Sequence, residues 1–174
     1  MDGVVINGKA RPISGSKGKL FRAARPGYPL GEVGRRAVET TIEGWKDLGI
    51  THVVCLLTDG EQLYYYGRDL VRLYQKGGLV VLRFPVPDHK PMRVEFATRL
   101  AAQVAGILES KGSRVLVHCS AGCGRTSMAL GCIASYMARQ GPLRLVKDTG
   151  VPQTRAQVQV IAAVAAQEGT AGGE

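Results

Sequence analysis

The chain reads as a single α/β domain with a central, mainly parallel sheet flanked by helices, and three observations predict it. Short β-rich runs at Val53–Leu57, Leu79–Val86 and Arg114–His118 are separated by segments of helical periodicity, the alternation from which parallel sheets are built. The third run leads through a glycine-containing turn into Thr126–Arg139, which is almost wholly apolar or small and reads as a buried central helix. The 174 residues, 45% hydrophobic and 21% charged, suffice for one substantial core.

In chain order, Lys9, Arg11, Lys17, Lys19, Arg22 and Arg25 lie among glycines and prolines. The simpler reading of residues 1–18 is a solvated basic segment wrapping the domain; the other is a basic rim that attracts a phosphorylated partner. Lys19–Ala23 suits an edge strand. Arg35–Leu48 is a helix that Gly49 stops, and Trp45 should pack between that helix and the sheet. Glu61–Lys76 places Leu63, Tyr66, Leu70 and Leu73 on one stripe and ends at Gly77-Gly78. Pro91–Leu108 repeats the pattern and stops near Gly112. After Gly141-Pro142 come a short helix at Leu143–Lys147 and a last one from Thr154 to Gln167, so the domain proper is 19–167, with a flexible tail at 168–174.

The stretch His118-Cys119-Ser120-Ala121-Gly122-Cys123-Gly124-Arg125-Thr126 reads as chemistry. Glycines at 122 and 124 let the chain curl so that successive N–H groups face inward and make an anion nest. The following helix adds its unpaired amides and positive dipole end. A thiol placed there beside an arginine is favoured as thiolate, the nucleophilic form. Arg125 can fork two donors onto phosphoryl oxygens, which lysine cannot. Thr126 can donate its hydroxyl to the Cys119 sulfur, and His118 can orient the loop by hydrogen bonding.

These residues resemble the signature of the cysteine-dependent protein tyrosine and dual-specificity phosphatases: His-Cys, five residues, Arg, then Ser or Thr. The resemblance implies a dual-specificity phosphatase-like fold and a phosphocysteine intermediate on Cys119. Ser120, Ala121, Gly122, Cys123 and Gly124 would bind the phosphate together with Arg125. Thr58-Asp59-Gly60-Glu61 resembles the compact kinase-associated phosphatase subgroup.

Such chemistry requires an acid to protonate the leaving group. Asp88 is the one acid in Phe84-Pro85-Val86-Pro87-Asp88-His89-Lys90-Pro91 and matches the family's general acid. The alternatives are that Asp88 caps a helix starting near Pro91, or that His89 serves instead. Gly150–Gln157 resembles the family's downstream segment, in which Gln153 and Gln157 would align water. They sit four apart, on one face of a helix start, or else flank a Thr154 cap.

No apolar run approaches membrane-spanning length, and Met1–Val5 lacks the pattern of a signal peptide. The four cysteines at 55, 119, 123 and 132 show no metal spacing; no metal or cofactor is expected. A required thiolate points to a reducing, cytoplasmic setting. A net charge of +9 suits phosphorylated protein substrates better than nucleic acid, because the cations are dispersed and no recognition motif accompanies them. Two alternatives remain: an inositol phosphate or RNA 5′ phosphatase using the same chemistry, and an inactive phosphoprotein-binding module. Cys123 or Cys55 could pair with Cys119 on oxidation.

Overall fold

The computed structural model describes residues 8–67, 70–140 and 149–167; the helix expected at 143–147 and the tail at 168–174 lie outside them. Five strands form one sheet: β1 (Arg11–Pro12), β2 (Leu20–Ala23), β3 (His52–Cys55), β4 (Val80–Arg83) and β5 (Val115–His118). Their order is β1-β2-β5-β3-β4, parallel throughout except for the antiparallel β1–β2 pair. The predicted α/β class is therefore the observed one.

Among the described residues six helices flank the sheet: α1 (Arg35–Asp47), α2 (Asp59–Tyr66), α3 (Leu70–Lys76), α4 (Val94–Glu109), α5 (Gly124–Gln140) and α6 (Arg155–Ala166). The strand period of two divides the core. Val115 and Val117 of β5 join Leu100, Met128, Ile133 and Val160 on one side. Leu116 joins Val38, Trp45, Leu70 and Tyr74 on the other. All four residues of β5 are buried, as befits a central strand covered on both faces. No described helix is long and apolar enough to cross a membrane.

Five features differ from expectation. The Lys19–Ala23 strand is internal, because Arg11–Pro12 pairs outside it. Residues 8–18 accordingly do more than wrap the surface: Ala10, Ile13 and Ser16 are buried, and Gly8 accepts a hydrogen bond from the Trp45 indole. The helix expected over 61–76 is two helices, since Gly67 turns left-handed at φ 60° and ends α2. The helix expected from Pro91 starts at Val94 with Arg93 as its cap, so Asp88 does not cap it. The central helix begins at Gly124, two residues before Thr126, because the Ser127 amide already bonds the Cys123 carbonyl at 2.7 Å.

The register aligns His118 with both Ala23 and Cys55. The loops that leave β2, β3 and β5 therefore emerge side by side at the carboxyl end of the sheet, where open α/β folds place their ligands.

Candidate active site

β5 ends at His118, whose ring is fully buried. Burial lowers its pKa to about 4, so the imidazole is neutral at pH 7. The Cys119 carbonyl, 3.0 Å from Nδ1, can only accept, which assigns the proton to Nδ1 and leaves Nε2 to accept from the Tyr74 hydroxyl at 3.0 Å. His118 thus ties the root of the loop to α3.

Cys119 follows, 3% exposed, with the Thr126 hydroxyl donating to its sulfur at 3.1 Å. Gly122 has φ 72°, and a Cβ there would overlap the Ala23 carbonyl, so glycine is required by both conformation and space. The start of α5 leaves the amides of Gly124, Arg125 and Thr126 without intrahelical acceptors. Behind the loop, the Arg25 amide donates to the Ser120 carbonyl at 2.8 Å. The Arg25 guanidinium, itself buried, reaches the Ser120 hydroxyl at 3.2 Å and the Leu30 carbonyl. It lies 3.6 Å from the centre of the Tyr65 ring, a cation–π contact in a desolvated setting.

Arg125, 1% exposed, is clamped by Glu61 through two 2.8 Å bonds, the bidentate geometry that suits a guanidinium and a carboxylate. Its Nη1 also donates to the Val86 carbonyl at 2.8 Å. Its Nε is buried without a partner, so one donor remains to be satisfied. Burial alone would raise the Glu61 carboxyl, but the Arg125 guanidinium and the Thr58 amide hold it below its ordinary value. Burial likewise disfavours charge on Arg125, and Glu61 overcomes it so that the guanidinium is held more firmly protonated. Asp88 stands 3.2 Å from Arg125 Nη2 and is half-exposed. His89 lies outside it, largely exposed, with Nε2 3.6 Å from Asp88.

Gln153 and Gln157 do not share a helical face. Thr154 is the N-cap of α6, so Gln153 precedes the helix. Its side chain lies against Gly124, where a Cβ would overlap it. Gln157 is fully buried and its amide is engaged at both ends. Its oxygen accepts from the Gln153 amide at 2.9 Å, and its nitrogen donates to the Lys90 carbonyl at 3.3 Å. It therefore fastens the acid-bearing loop to the start of α6.

All four cysteines are free thiols. Burial pushes the Cys55 thiol up to about 11 and the Cys132 thiol up to about 12, which leaves the exposed Cys123 as the more reactive neighbour of Cys119. Among the described residues no cluster of three His, Cys, Asp or Glu could hold a metal.

Sequence reasoning did not assign Glu61, Tyr74 or Arg25 to the site. Glu61 carried one signal, the Thr-x-x-Glu spacing of a capping box, which announces a helix start and not an arginine clamp. Tyr74 lay off the predicted apolar stripe, and Arg25 stood in a run of basic and small residues that reads as solvated.

Comparison with known proteins places this geometry in a lineage. A model of the family described as cyclin-dependent kinase inhibitor 3 (CDKN3) matches residues 14–142. The cyclin-dependent kinase inhibitor 3 of Rattus norvegicus is 29% identical over 142 residues, covering 78% of this chain. That of Mus musculus is 30% identical over the same length. The match spans 66% of each of these relatives. A crystal structure of a kinase associated phosphatase with its catalytic-site cysteine replaced by serine superposes with a TM-score of 0.74 at 21% identity, covering 94% of this chain and 99% of that one. Tk-PTP in its active form superposes at 0.66 with 23% identity, covering 90% and 95%. At these identities the likeness to solved structures speaks to the fold, while the sequence match speaks to descent. The chain belongs to the cyclin-dependent kinase inhibitor 3 family and has a dual-specificity phosphatase-like fold.

Proposed function

We propose that this protein is a metal-independent, cysteine-dependent phosphatase of phosphorylated proteins, hydrolysing phosphotyrosine together with phosphoserine and phosphothreonine. The observation that carries the reading is Arg125: a buried guanidinium fixed by Glu61 on its outer nitrogens, with a buried, unpartnered Nε, six residues from a thiol that itself receives a hydrogen bond. Fixed donors awaiting an oxyanion are what phosphoryl transfer requires.

In the proposed reaction the Cys119 sulfur attacks phosphorus and the bond to the ester oxygen breaks. Asp88 gives its proton to the departing oxygen. Arg125 and the amides of Ser120, Ala121, Gly122, Cys123 and Gly124 hold the phosphoryl oxygens. Water then attacks the phosphocysteine while Asp88, now a carboxylate, takes its proton, and the S–P bond breaks to restore the thiolate, which the Thr126 hydroxyl stabilises. Gln153, lying against the loop at Gly124, is the better placed residue to align that water. Gln157 positions the acid loop through Lys90. The thiolate requirement makes a reducing, cytoplasmic setting part of the proposal. The relatives' name makes a phosphorylated cyclin-dependent kinase the first protein substrate to test.

Turnover of para-nitrophenyl phosphate in the presence of chelator tests the chemistry. Cys119→Ser should abolish it, and Asp88→Ala should lower kcat by roughly 100- to 10,000-fold. An inert parent protein would reject the mechanism and leave the phosphoprotein-binding module, and a Cys119→Ser variant of undiminished activity would reject Cys119 as the nucleophile. Phosphopeptides set against inositol phosphates then decide the substrate class.

A further inference from the structure

An oxyanion cradle works only if its amides point inward, and in a trans peptide an inward N–H requires the preceding carbonyl to point outward. In the signature loop those carbonyls are held by donors of the loop's own root and of neighbouring elements. The Cys119 carbonyl accepts from His118 Nδ1 at 3.0 Å, the Gly122 carbonyl from Arg22 Nη2 at 2.6 Å and the Cys123 carbonyl from the Ser127 amide at 2.7 Å. The Ser120 carbonyl accepts from the Arg25 amide at 2.8 Å. The N–H that this last bond turns inward is that of Ala121.

Arg25 grips Ser120 a second time. Its side-chain Nε donates to the Ser120 hydroxyl at 3.2 Å, so the main chain and the side chain of one residue both fix the residue that follows the nucleophile. The guanidinium is held in turn: 2% exposed, it donates to the Leu30 carbonyl and lies 3.6 Å from the centre of the Tyr65 ring. A planar, forked cation can meet a hydroxyl, a carbonyl and a ring face together; an ammonium on a flexible stem cannot hold all three in fixed directions. Tyr65 belongs to α2, as does Glu61, which clamps Arg125. Arg25 therefore joins the amide half of the cradle to the helix that fixes its guanidinium half.

Building on the phosphatase reading above, we propose that Arg25 is a positioning residue of the phosphate cradle: acting through Ser120, it aims the Ala121 amide at the phosphoryl oxygens and keeps that amide in register with Arg125. Amides fixed before the substrate arrives need no reorganisation as charge develops on the oxygens, and a displacement of about 1 Å is costly there.

The experiment measures inorganic phosphate affinity by titration calorimetry, and para-nitrophenyl phosphate turnover, in the parent chain, Arg25→Met, Ser120→Ala and the double variant, each well below its melting temperature. Arg25→Met should weaken phosphate binding about tenfold and lower kcat by about 100-fold. Ser120→Ala, which removes the hydroxyl but keeps every loop amide, should lower kcat by about tenfold. The double variant should be no worse than Arg25→Met, because both changes remove one contact. A folded Arg25→Met protein that is less stable yet keeps the parent's phosphate affinity and kcat would make Arg25 a structural residue only and overturn the proposal. So would losses that simply multiply in the double variant. If Arg25→Met does not fold, Ser120→Ala decides, parent-like phosphate affinity and kcat in that variant overturning the proposal. An inert parent strikes the phosphatase reading instead, and the calorimetric affinities of the same variants then decide the role of Arg25. A parent that binds no phosphate overturns that role as well.

Discussion

At the scale of single residues, burial decides which chemistry a side chain keeps. His118 sits in the signature loop yet cannot serve as a proton carrier at neutral pH, because its ring is enclosed by Trp45 and Tyr74 and its pKa is lowered to about 4. The folded state therefore binds fewer protons than the unfolded chain between the ordinary histidine value and about 4. Stability should be full above about pH 6.5 and fall as the pH drops toward 4, by up to roughly 3 kcal/mol for this one group. Urea unfolding midpoints across that range check it, and a His118→Asn variant should show a flatter profile. Arg25 makes the converse point. Its neighbours in sequence suggest solvent, but the Tyr65 ring and neutral hydrogen-bond acceptors enclose it behind the loop. A sequence shows that a residue is basic; whether stacked rings and carbonyls replace its water is settled by segments distant along the chain.

At the scale of elements, α2 joins two jobs that sequence presents as one. Thr58 and Glu61 form a complete capping box: the Glu61 carboxylate accepts from the Thr58 amide at 2.9 Å while the Thr58 hydroxyl accepts from the Glu61 amide at 3.3 Å. The same carboxylate holds Arg125 at the start of α5. Glu61→Gln retains a cap acceptor but removes the charge from a largely buried pair. It should lower stability by about 1–3 kcal/mol and reduce kcat more than Thr58→Ala, which removes the cap hydroxyl and leaves the guanidinium clamp. Thermal unfolding and kinetics on para-nitrophenyl phosphate separate the two effects. The helix ends were legible where a residue alone dictates the turn, as at Gly49 with φ 74°. They were misplaced where the apolar pattern gives no sign: Gly67 turns left-handed within an unbroken apolar stripe and splits the helix expected at 61–76, and α5 winds back to Gly124 because the Cys123 carbonyl accepts from the Ser127 amide.

At the scale of the whole molecule, the amino-terminal stretch is part of the fold. Ile13 is buried against the α4–α5–α6 side, Ala10 against the other, and Gly8 accepts the Trp45 indole hydrogen bond at 2.6 Å. Deleting residues 1–18 should lower the melting temperature by at least about 10 °C, the scale of losing one buried isoleucine, a buried hydrogen bond and a strand pairing. Calorimetry of the truncated and full chains measures this. By itself the sequence determined the α/β class, the strand–loop–helix that carries Cys119 and Arg125, and the presence of an acid between prolines at 88, because each rests on local periodicity, glycine conformation or residue type within a short window. Only the tertiary structure decided that Glu61 clamps Arg125, that Tyr74 anchors His118, that Gln157 is spent on the Lys90 carbonyl, and that Arg11 opposes Arg22 beside the loop. Those pairings join residues from 11 to 67 positions apart, and closing them depends on strand order and register, which short-range pattern does not encode.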